Sequence, residues 1–332
     1  METRKTIDIK KALQNIGLSN SVINAAWPSW WEKAAENSNS ALGELCFSIS
    51  RKLGIDPTSL LNNSLEPKTL IGTDALFKNL KTSDEREANI LSAFGVAIGK
   101  ILIKSIKDKF QRNETIPNVI ELRNIILKEK PFVTLDSLIA TCWSIGIPVI
   151  HLRIFPLSNK NMNAMTINIE GKYAILLARD ASYPAIPSFI LAHELGHIAK
   201  NHFGSVSAII DLDDEFKKST DKQEKEADDF ATSLIIGDKK IIINIEPTSS
   251  KSLAEYLLAL CREIKIEPGI LALHIGFLLN KWDVATGALN YIYDEKKDVR
   301  AEINNIAFKE INREIINDDE LYYLMNVTGY EG

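Results

Sequence analysis

The chain has 332 residues, of which 45% are hydrophobic and 25% are charged, and it carries a formal net charge of −5. These values are typical of a globular protein with a sizeable core, in one large domain or two. The acidic balance gives no general electrostatic case for nucleic-acid binding. Three widely spaced cysteines without a CxxC pair argue against a disulfide framework and predict a reducing, cytoplasmic setting. No apolar run reaches the ~20 residues of a membrane span, and the first residues do not resemble a secretory signal.

Residues 1–66 are predicted to form an all-helical domain of short helices. Apolar residues follow helical spacing up to Leu53, Gly54 ends that helix, and Asp56 with Pro57 begins the next one. A helix, a tight turn and a short helix are the arrangement of a helix-turn-helix module. The second helix, PTSLLNNS, contains no Lys or Arg, so a role in packing is favoured over sequence readout of DNA.

Residues 67–114 are predicted to connect this domain to the next one. An amphipathic helix over 84–110 is followed by the polar segment QRNETIPN, which has the composition of a linker. Two helices, VIELRNIILKEKPF and LDSLIATCWSIGI, come next, and PVIHLRIF resembles a strand. NAMTINIEGKYAILLA alternates around Glu170 and Gly171 and predicts a β-hairpin, whose edge we expect to hold an extended peptide by strand addition.

The rest of the chain is predicted to be mostly helical. A helix follows two closely spaced prolines, a charged loop covers Asp211–Gln223, and three further helices are predicted for EKEADDFATSLII, KSLAEYLLALCREI and EPGILALHIGFLLN. The tail beyond about residue 290 is mixed and charged. The predicted fold class is therefore α+β and mostly helical, with a small β-sheet. A second domain over 115–290 is followed by a C-terminal extension over 291–332.

The stretch FILAHELGHIAKNH contains three of the five histidines of the chain. Residues four apart share one face of a helix, so His193 and His197 can present ring nitrogens to a single tetrahedral zinc ion. Glu194 lies at the rim of the same site, where its carboxylate can take a proton from water as a general base. The apolar flanks predict a buried helix, in which three ionisable groups without a purpose would be costly. His202 is out of register with this face and is expected at the surface.

A zinc site of this kind needs a third protein ligand. The pattern HExxHxxGxxH does not apply, because the chain has Lys200 and Phe203 at the positions of its glycine and last histidine. A carboxylate from the helix EKEADDFA is the other common solution. Glu224 is favoured as the ligand, and Asp228, four residues later, can hydrogen-bond a ligand histidine and fix its tautomer. Glu226 is the competitor; it lies about 200° around the helix from Glu224, so both cannot reach one ion.

Together these segments resemble the ImmA/IrrE family of metallopeptidases. The family's first motif is matched by LAHELGHIA, and its motif E-x-E-A-(N/D)-x-F-A-x-x-L-L corresponds to EKEADDFATSLI. The place of the family's hairpin is taken by TINIEGKYAILLARD, which follows GIPVIHLR. The helix after the family's catalytic core resembles EPGILALHIGFLLN. The resemblance covers roughly residues 115–290. It implies a gluzincin-type core, one zinc ion bound by His193, His197 and Glu224, and Glu194 as the general base.

The same resemblance implies a function and a partner. Family members often accompany helix-turn-helix regulators; some cleave such a repressor in stress response, mobile-element transfer or phage defence, and others act in toxin–antitoxin pairs. It therefore implies a zinc endopeptidase of one or a few cytoplasmic proteins, with a repressor or antitoxin as its substrate. The alternative is a DNA-binding regulator or toxin–antitoxin component whose zinc domain senses or scaffolds without cutting. A further donor for the oxyanion of the reaction is expected, and the candidates are His274, Tyr183 and Arg179.

Overall fold

A computed structural model of the protein describes residues 6–70, 75–78, 85–106, 116–158, 162–212, 221–237 and 248–332. These residues form many helices around one small mixed sheet, which confirms the predicted α+β, mostly helical fold class. No helix in the described part of the chain is long and apolar enough to cross a membrane.

The part of the chain that the structure describes contains fourteen α-helices. They are α1 (Thr6–Asn15), α2 (Asn20–Ala26), α3 (Asn39–Leu53), α4 (Pro57–Leu61), α5 (Glu85–Lys104), α6 (Val119–Glu129), α7 (Leu135–Ser144), α8 (Ala185–Ala199), α9 (Lys222–Ile235), α10 (Ser250–Ile264), α11 (Pro268–Leu279), α12 (Trp282–Ile292), α13 (Val299–Glu310) and α14 (Asp318–Thr328). The strands are β1 (Ala75–Lys78), β2 (Val149–His151), β3 (Met162–Ile169), β4 (Lys172–Leu177) and β5 (Ala208–Leu212).

The strands form one sheet in the order β1-β5-β3-β4-β2. The predicted hairpin is present as β3 and β4, which pair antiparallel across a turn where Glu170 and Gly171 both have positive φ. On its outer sides, β5 pairs antiparallel with β3, and β2 pairs parallel with β4. Because the protein's own strands cover both sides of the hairpin, the prediction that its edge holds an extended peptide is wrong.

The sheet separates two layers of helices, and β3 contacts both. Gly95 and Gly99 of α5 approach Met165 and Ile167 so closely that an added Cβ would lie 1.8 Å from the sulfur of Met165 and 2.7 Å from Ile167 Cγ2. The hydroxyl of Thr166 instead bonds a side chain of α8. Since successive residues of a strand point to opposite faces, α5 covers one face of the sheet and α8 covers the other.

Several elements differ from the sequence prediction. The helix predicted over 84–110 ends at Lys104, and residues 107–115, which include most of the predicted linker, lie outside the described part of the chain. β1 lies in the segment predicted as a connection, and β5 ends within the predicted charged loop. The tail beyond residue 290 contains the helices α13 and α14, which the prediction left without structure.

The N-terminal helices pack against the last helix of the chain. Lys52 of α3 is 2% exposed, and its Nζ lies 2.7 Å from Asp319 Oδ1 of α14 and 3.1 Å from the carbonyl oxygen of Ala26. The Tyr323 hydroxyl donates to the carbonyl oxygen of Lys52 at 2.8 Å. The proposed boundaries of the N-terminal module and the C-terminal extension remain predictions, but these contacts join the two segments in the described structure.

Candidate metal centre

α8 is the buried helix on which the candidate site is built. Its residues His193, Glu194 and His197 are all buried, although each can carry a charge. The helix packs against β3 and β4 on the sheet side and against α7, α9 and α11 elsewhere, so water reaches little of its surface. Buried ionisable groups are costly unless they are paired or bind a metal, so the partners of these side chains decide what the site can do.

Gly196 allows α8 and α9 to approach each other closely. A Cβ added at this position would lie 2.9 Å from both the Cα and the carbonyl oxygen of Ala227 on α9. Such distances are not available to a side chain, so the glycine in HELGH is required by the contact between the two backbones. This contact holds Glu224 and Asp228, which lie on either side of Ala227, against the histidines of α8.

We expect Gly196→Ala to push α8 away from α9 and to lower the free energy of unfolding by about 1–3 kcal/mol, as overpacking of a core does. The matched control is Gly43→Ala on α3, where an added Cβ meets no atom within 4 Å. There the better helix propensity of alanine should raise stability by up to ~1 kcal/mol. Denaturant unfolding of both variants measures the difference; equal stability of the two would contradict the close-packing argument.

Three side chains converge in the middle of this contact. The Nε2 atoms of His193 and His197 lie 3.0 Å apart, and each lies 3.5 Å from an oxygen of the Glu224 carboxylate. A tetrahedral ion with bonds of 2.0–2.1 Å separates its ligands by about 3.3 Å, so these separations suit atoms around one ion. Two imidazoles and one buried carboxylate can therefore hold a metal ion here.

The carboxylate of Asp228 lies behind His193, within hydrogen-bond distance. Asp228 Oδ1 lies 2.8 Å from Nδ1 of His193, on the side of the ring opposite Nε2. Burial lowers the pKa of His193, but its hydrogen bonds to Asp228 and Glu224 outweigh burial and raise the pKa well above its ordinary value. In the metal-free protein both ring nitrogens therefore hold a proton; a metal ion at Nε2 would replace the proton that faces Glu224, while Asp228 keeps the one on Nδ1.

Glu194 is fully buried, and a strand residue orients it. The hydroxyl of Thr166 on β3 donates to Oε2, whereas Oε1 is buried and accepts no hydrogen bond from the described residues. Burial raises the pKa of Glu194 to about 8; the neighbouring carboxylates of Asp211 and Glu224 also raise it, and His193 and Thr166 oppose the rise. At neutral pH Glu194 therefore keeps its proton in the metal-free protein, and a cation bound beside it would favour the charged form.

The prediction that His202 lies at the surface is wrong. The side chain is 6% exposed, with Nδ1 2.9 Å from Nδ1 of His197 and Nε2 3.0 Å from Oε2 of Glu226. Helical register does not apply to it, because α8 ends at Ala199 and Asn201 adopts φ +54, which turns the chain back. Glu226, the competitor for the third ligand position, thus contacts His202 instead of the cluster around Glu224.

The three candidate oxyanion donors have other contacts. The Tyr183 hydroxyl donates to Asn290 of α12 at 2.8 Å, and the ring stacks on Tyr293. Arg179 donates from Nη1 to Oδ1 of Asn163 at 3.2 Å. His274 is partly buried on α11, which packs on α8, and burial lowers its pKa. Their role as oxyanion donors remains a prediction.

A polar group beside the site was not predicted from the sequence. Asn163 lies where the register between β3 and β5 shifts by one residue, and its amide donates to Asp211 at 3.1 Å. The same Asn163 accepts from Arg179, so the bulge joins β3, β5 and the end of β4 next to Glu194. A bulge is set by pairing with a distant strand, and no local pattern in the sequence signals it.

The comparisons with known proteins support a peptidase. The model of the family described as Peptidase U49 matches residues 159–261, about a third of the chain. The match contains the whole cluster: the two histidines and Glu194 on α8, and Glu224 and Asp228 on α9. No curated protein and no solved structure matches the chain.

Proposed function

We propose that the protein is a zinc-dependent endopeptidase whose metal ligands are His193, His197 and Glu224. The observation that carries the proposal is the convergence of their ligand atoms within 4.8 Å of one another, inside a segment that matches a peptidase family. Two imidazoles and a carboxylate are a donor set that suits zinc better than the harder ions magnesium or calcium. Zinc held there supplies an activated water and polarises a carbonyl group.

Glu194 acts as the general base in this proposal. Its Oε2 is held by Thr166, so the buried Oε1 is the oxygen available to take a proton from the attacking water and to return it to the leaving amine. A carboxyl group that accepts and returns a proton works best with a pKa near the working pH. Burial provides a pKa of about 8 in the metal-free protein, and the positive charge of a bound ion lowers it.

Asp228 holds the ring of His193 from behind and keeps its proton on Nδ1. Gly196 sets the distance between the two helices that carry all of these groups. An additional donor for the oxyanion is proposed among His274, Tyr183 and Arg179, of which Arg179 shares Asn163 with Asp211, a residue whose charge acts on Glu194. The chain thus provides a general base in Glu194, a hydrogen-bond partner for the ligand His193 in Asp228, and polar side chains beside the site.

The resemblance to the ImmA/IrrE family supports the finer part of the proposal. On that basis the substrate is one or a few cytoplasmic proteins, in particular a helix-turn-helix repressor or an antitoxin. The N-terminal helices α3 and α4, joined by Gly54 in the left-handed region, form the proposed regulator-like module. The five-residue α4 contains no basic residue, so protein contact is favoured over DNA contact for this module.

The test compares metal-free protein with the same protein reconstituted with zinc. Each is incubated with a whole-cell protein extract, and new amino termini are identified by terminal labelling and mass spectrometry. The reconstituted protein is expected to generate a small set of new termini, and the metal-free protein none. Zinc binding without cleavage, together with a shift of the protein's own upstream DNA that Glu194→Gln leaves unchanged, would favour the regulator instead.

A further inference from the structure

Different side chains meet the Nδ1 atoms of His193 and His197. His193 Nδ1 meets Asp228, whereas His197 Nδ1 meets the ring nitrogen Nδ1 of His202 at 2.9 Å. On its far side, His202 Nε2 meets the carboxylate of Glu226 at 3.0 Å. His202 is 6% exposed and the end of Glu226 reaches solvent, so the contacts lead outward from the buried cluster to the surface.

His197, His202 and Glu226 form a row of hydrogen bonds, and one assignment of protons satisfies both contacts in it. Two ring nitrogens 2.9 Å apart need one proton between them, so one ring donates and the other accepts. If Nε2 of His197 keeps its lone pair for a metal, its proton is on Nδ1 and donates to His202. His202 must then carry its own proton on Nε2, where Glu226 accepts it. The carboxylate of Glu226 fixes this tautomer in His202, and His202 in turn fixes the tautomer of His197.

We propose that His202 and Glu226 are positioning residues that support His197 as a metal ligand through this row of hydrogen bonds. The inference rests on the proposed metal site and adds two residues to it. His202 contributes an acceptor that a backbone carbonyl or a carboxylate supplies in other metal sites. Its backbone N–H also donates to the carbonyl oxygen of His197 at 3.0 Å, so the turn after α8 holds the two rings in contact.

Three substitutions of His202 separate the role of its two nitrogens. The Oδ1 of Asn replaces Nδ1, the acceptor for His197; the amide of Gln replaces Nε2, the donor to Glu226; Leu replaces neither. We expect His202→Leu and His202→Gln to weaken zinc binding by about 10–100-fold, as loss of the hydrogen-bond partner of a metal ligand usually does. His202→Asn should recover most of the affinity, because it alone restores an acceptor at the position that faces His197.

The measurement is the zinc dissociation constant of the full-length protein, obtained by competition with a chromophoric chelator. His151→Leu is the matched control: His151 is 2% exposed, and its ring nitrogens meet the carbonyl oxygens of Leu152 and Arg179 instead of the cluster. It should lower the thermal stability of the metal-free protein and leave zinc affinity unchanged. If a His202 variant does not fold, Glu226→Leu at the solvent end of the row tests the same connection, with a severalfold loss of affinity expected.

The outcomes separate this inference from the proposed function. Wild-type protein that takes up no zinc would overturn the metal site and the positioning role together. Wild-type protein that binds zinc, with all His202 variants binding equally well, would overturn the positioning role and leave the metal site standing. Equal losses in His202→Asn, His202→Gln and His151→Leu would show a structural effect of buried histidines and would also overturn the inference.

Discussion

Replacing Glu194 by Gln is expected to lower the rate of peptide cleavage by about 10²–10⁴-fold, the usual contribution of a general base. The amide keeps the size of the side chain and can still accept from the Thr166 hydroxyl, so the fold should not change. It cannot take a proton from water. Zinc content should stay at one ion per chain, because Glu194 is not among the three proposed ligands.

Cleavage of one substrate identified by its new amino terminus gives the rate, and elemental analysis gives the zinc content of the same sample. Glu255→Gln is the control, because Glu255 makes an exposed ion pair with Lys251 on α10 and its neutralisation removes the same charge. That variant should cleave at the wild-type rate. A Glu194→Gln protein that keeps its full rate would remove Glu194 from the proposed mechanism and require a different base.

The Gln variant also has a use as a trap for the substrate. It retains the proposed ligands and cleaves about 10²–10⁴-fold more slowly, so uncleaved substrate should be recovered with it. A protein recovered with the zinc-loaded Glu194→Gln variant should be the same protein that acquires a new terminus with wild type. If the proteins that bind the variant are the proteins that the wild type cleaves, binding and cleavage concern the same substrate.

Local sequence patterns predicted the parts of the fold that depend on neighbouring residues. The hairpin turn at Glu170 and Gly171, the helix that carries HELGH and the helix EKEADDFATSLII are present, because their periodicity and capping are local. The same spacing rule brings His193 and His197 to one face of α8 and Glu224 and Asp228 to one face of α9. Four of the predicted site residues therefore lie together in the structure.

The two strands that were missed depend on distant residues. β1 and β5 are strands of four and five residues that pair with each other, and β5 also pairs with β3. Their short segments carry little pattern of their own, so pairing decides their conformation. The contacts of Thr166 with Glu194 and of His202 with Glu226 join residues 28 and 24 positions apart, which no local spacing rule connects.

The choice between Glu224 and Glu226 as the third metal ligand depends on which carboxylate faces the two histidines. Both lie on α9, two residues apart, and the sequence offers either as a ligand. In the structure, Glu224 is 5% exposed and faces both histidines, whereas Glu226 is at the rim, where a hydrogen bond from His202 lowers its pKa. The two positions lie about 200° apart around α9, and only the side that carries Glu224 faces His193 and His197.

Removal of the Glu224 carboxylate is expected to cost most of the zinc affinity. Glu224→Gln replaces a charged ligand with an amide that binds zinc poorly, and we expect the dissociation constant to rise by about 100-fold or more. Glu226→Gln removes the same charge from the same helix and keeps an acceptor for His202. It should change the dissociation constant by less than about tenfold, which is the smallest effect usual when a residue that hydrogen-bonds a metal ligand is lost.

Thermal unfolding with and without zinc tests the same difference without any substrate. A ligand present at a thousand times its dissociation constant stabilises the native state by about 4 kcal/mol, so zinc should raise the melting temperature of the wild type by several degrees. Glu226→Gln should keep nearly all of this increase and Glu224→Gln should lose most of it. The reverse order would make Glu226 the third ligand, and it would require α9 to rotate against α8 from the arrangement in which Glu224 lies between His193 and His197.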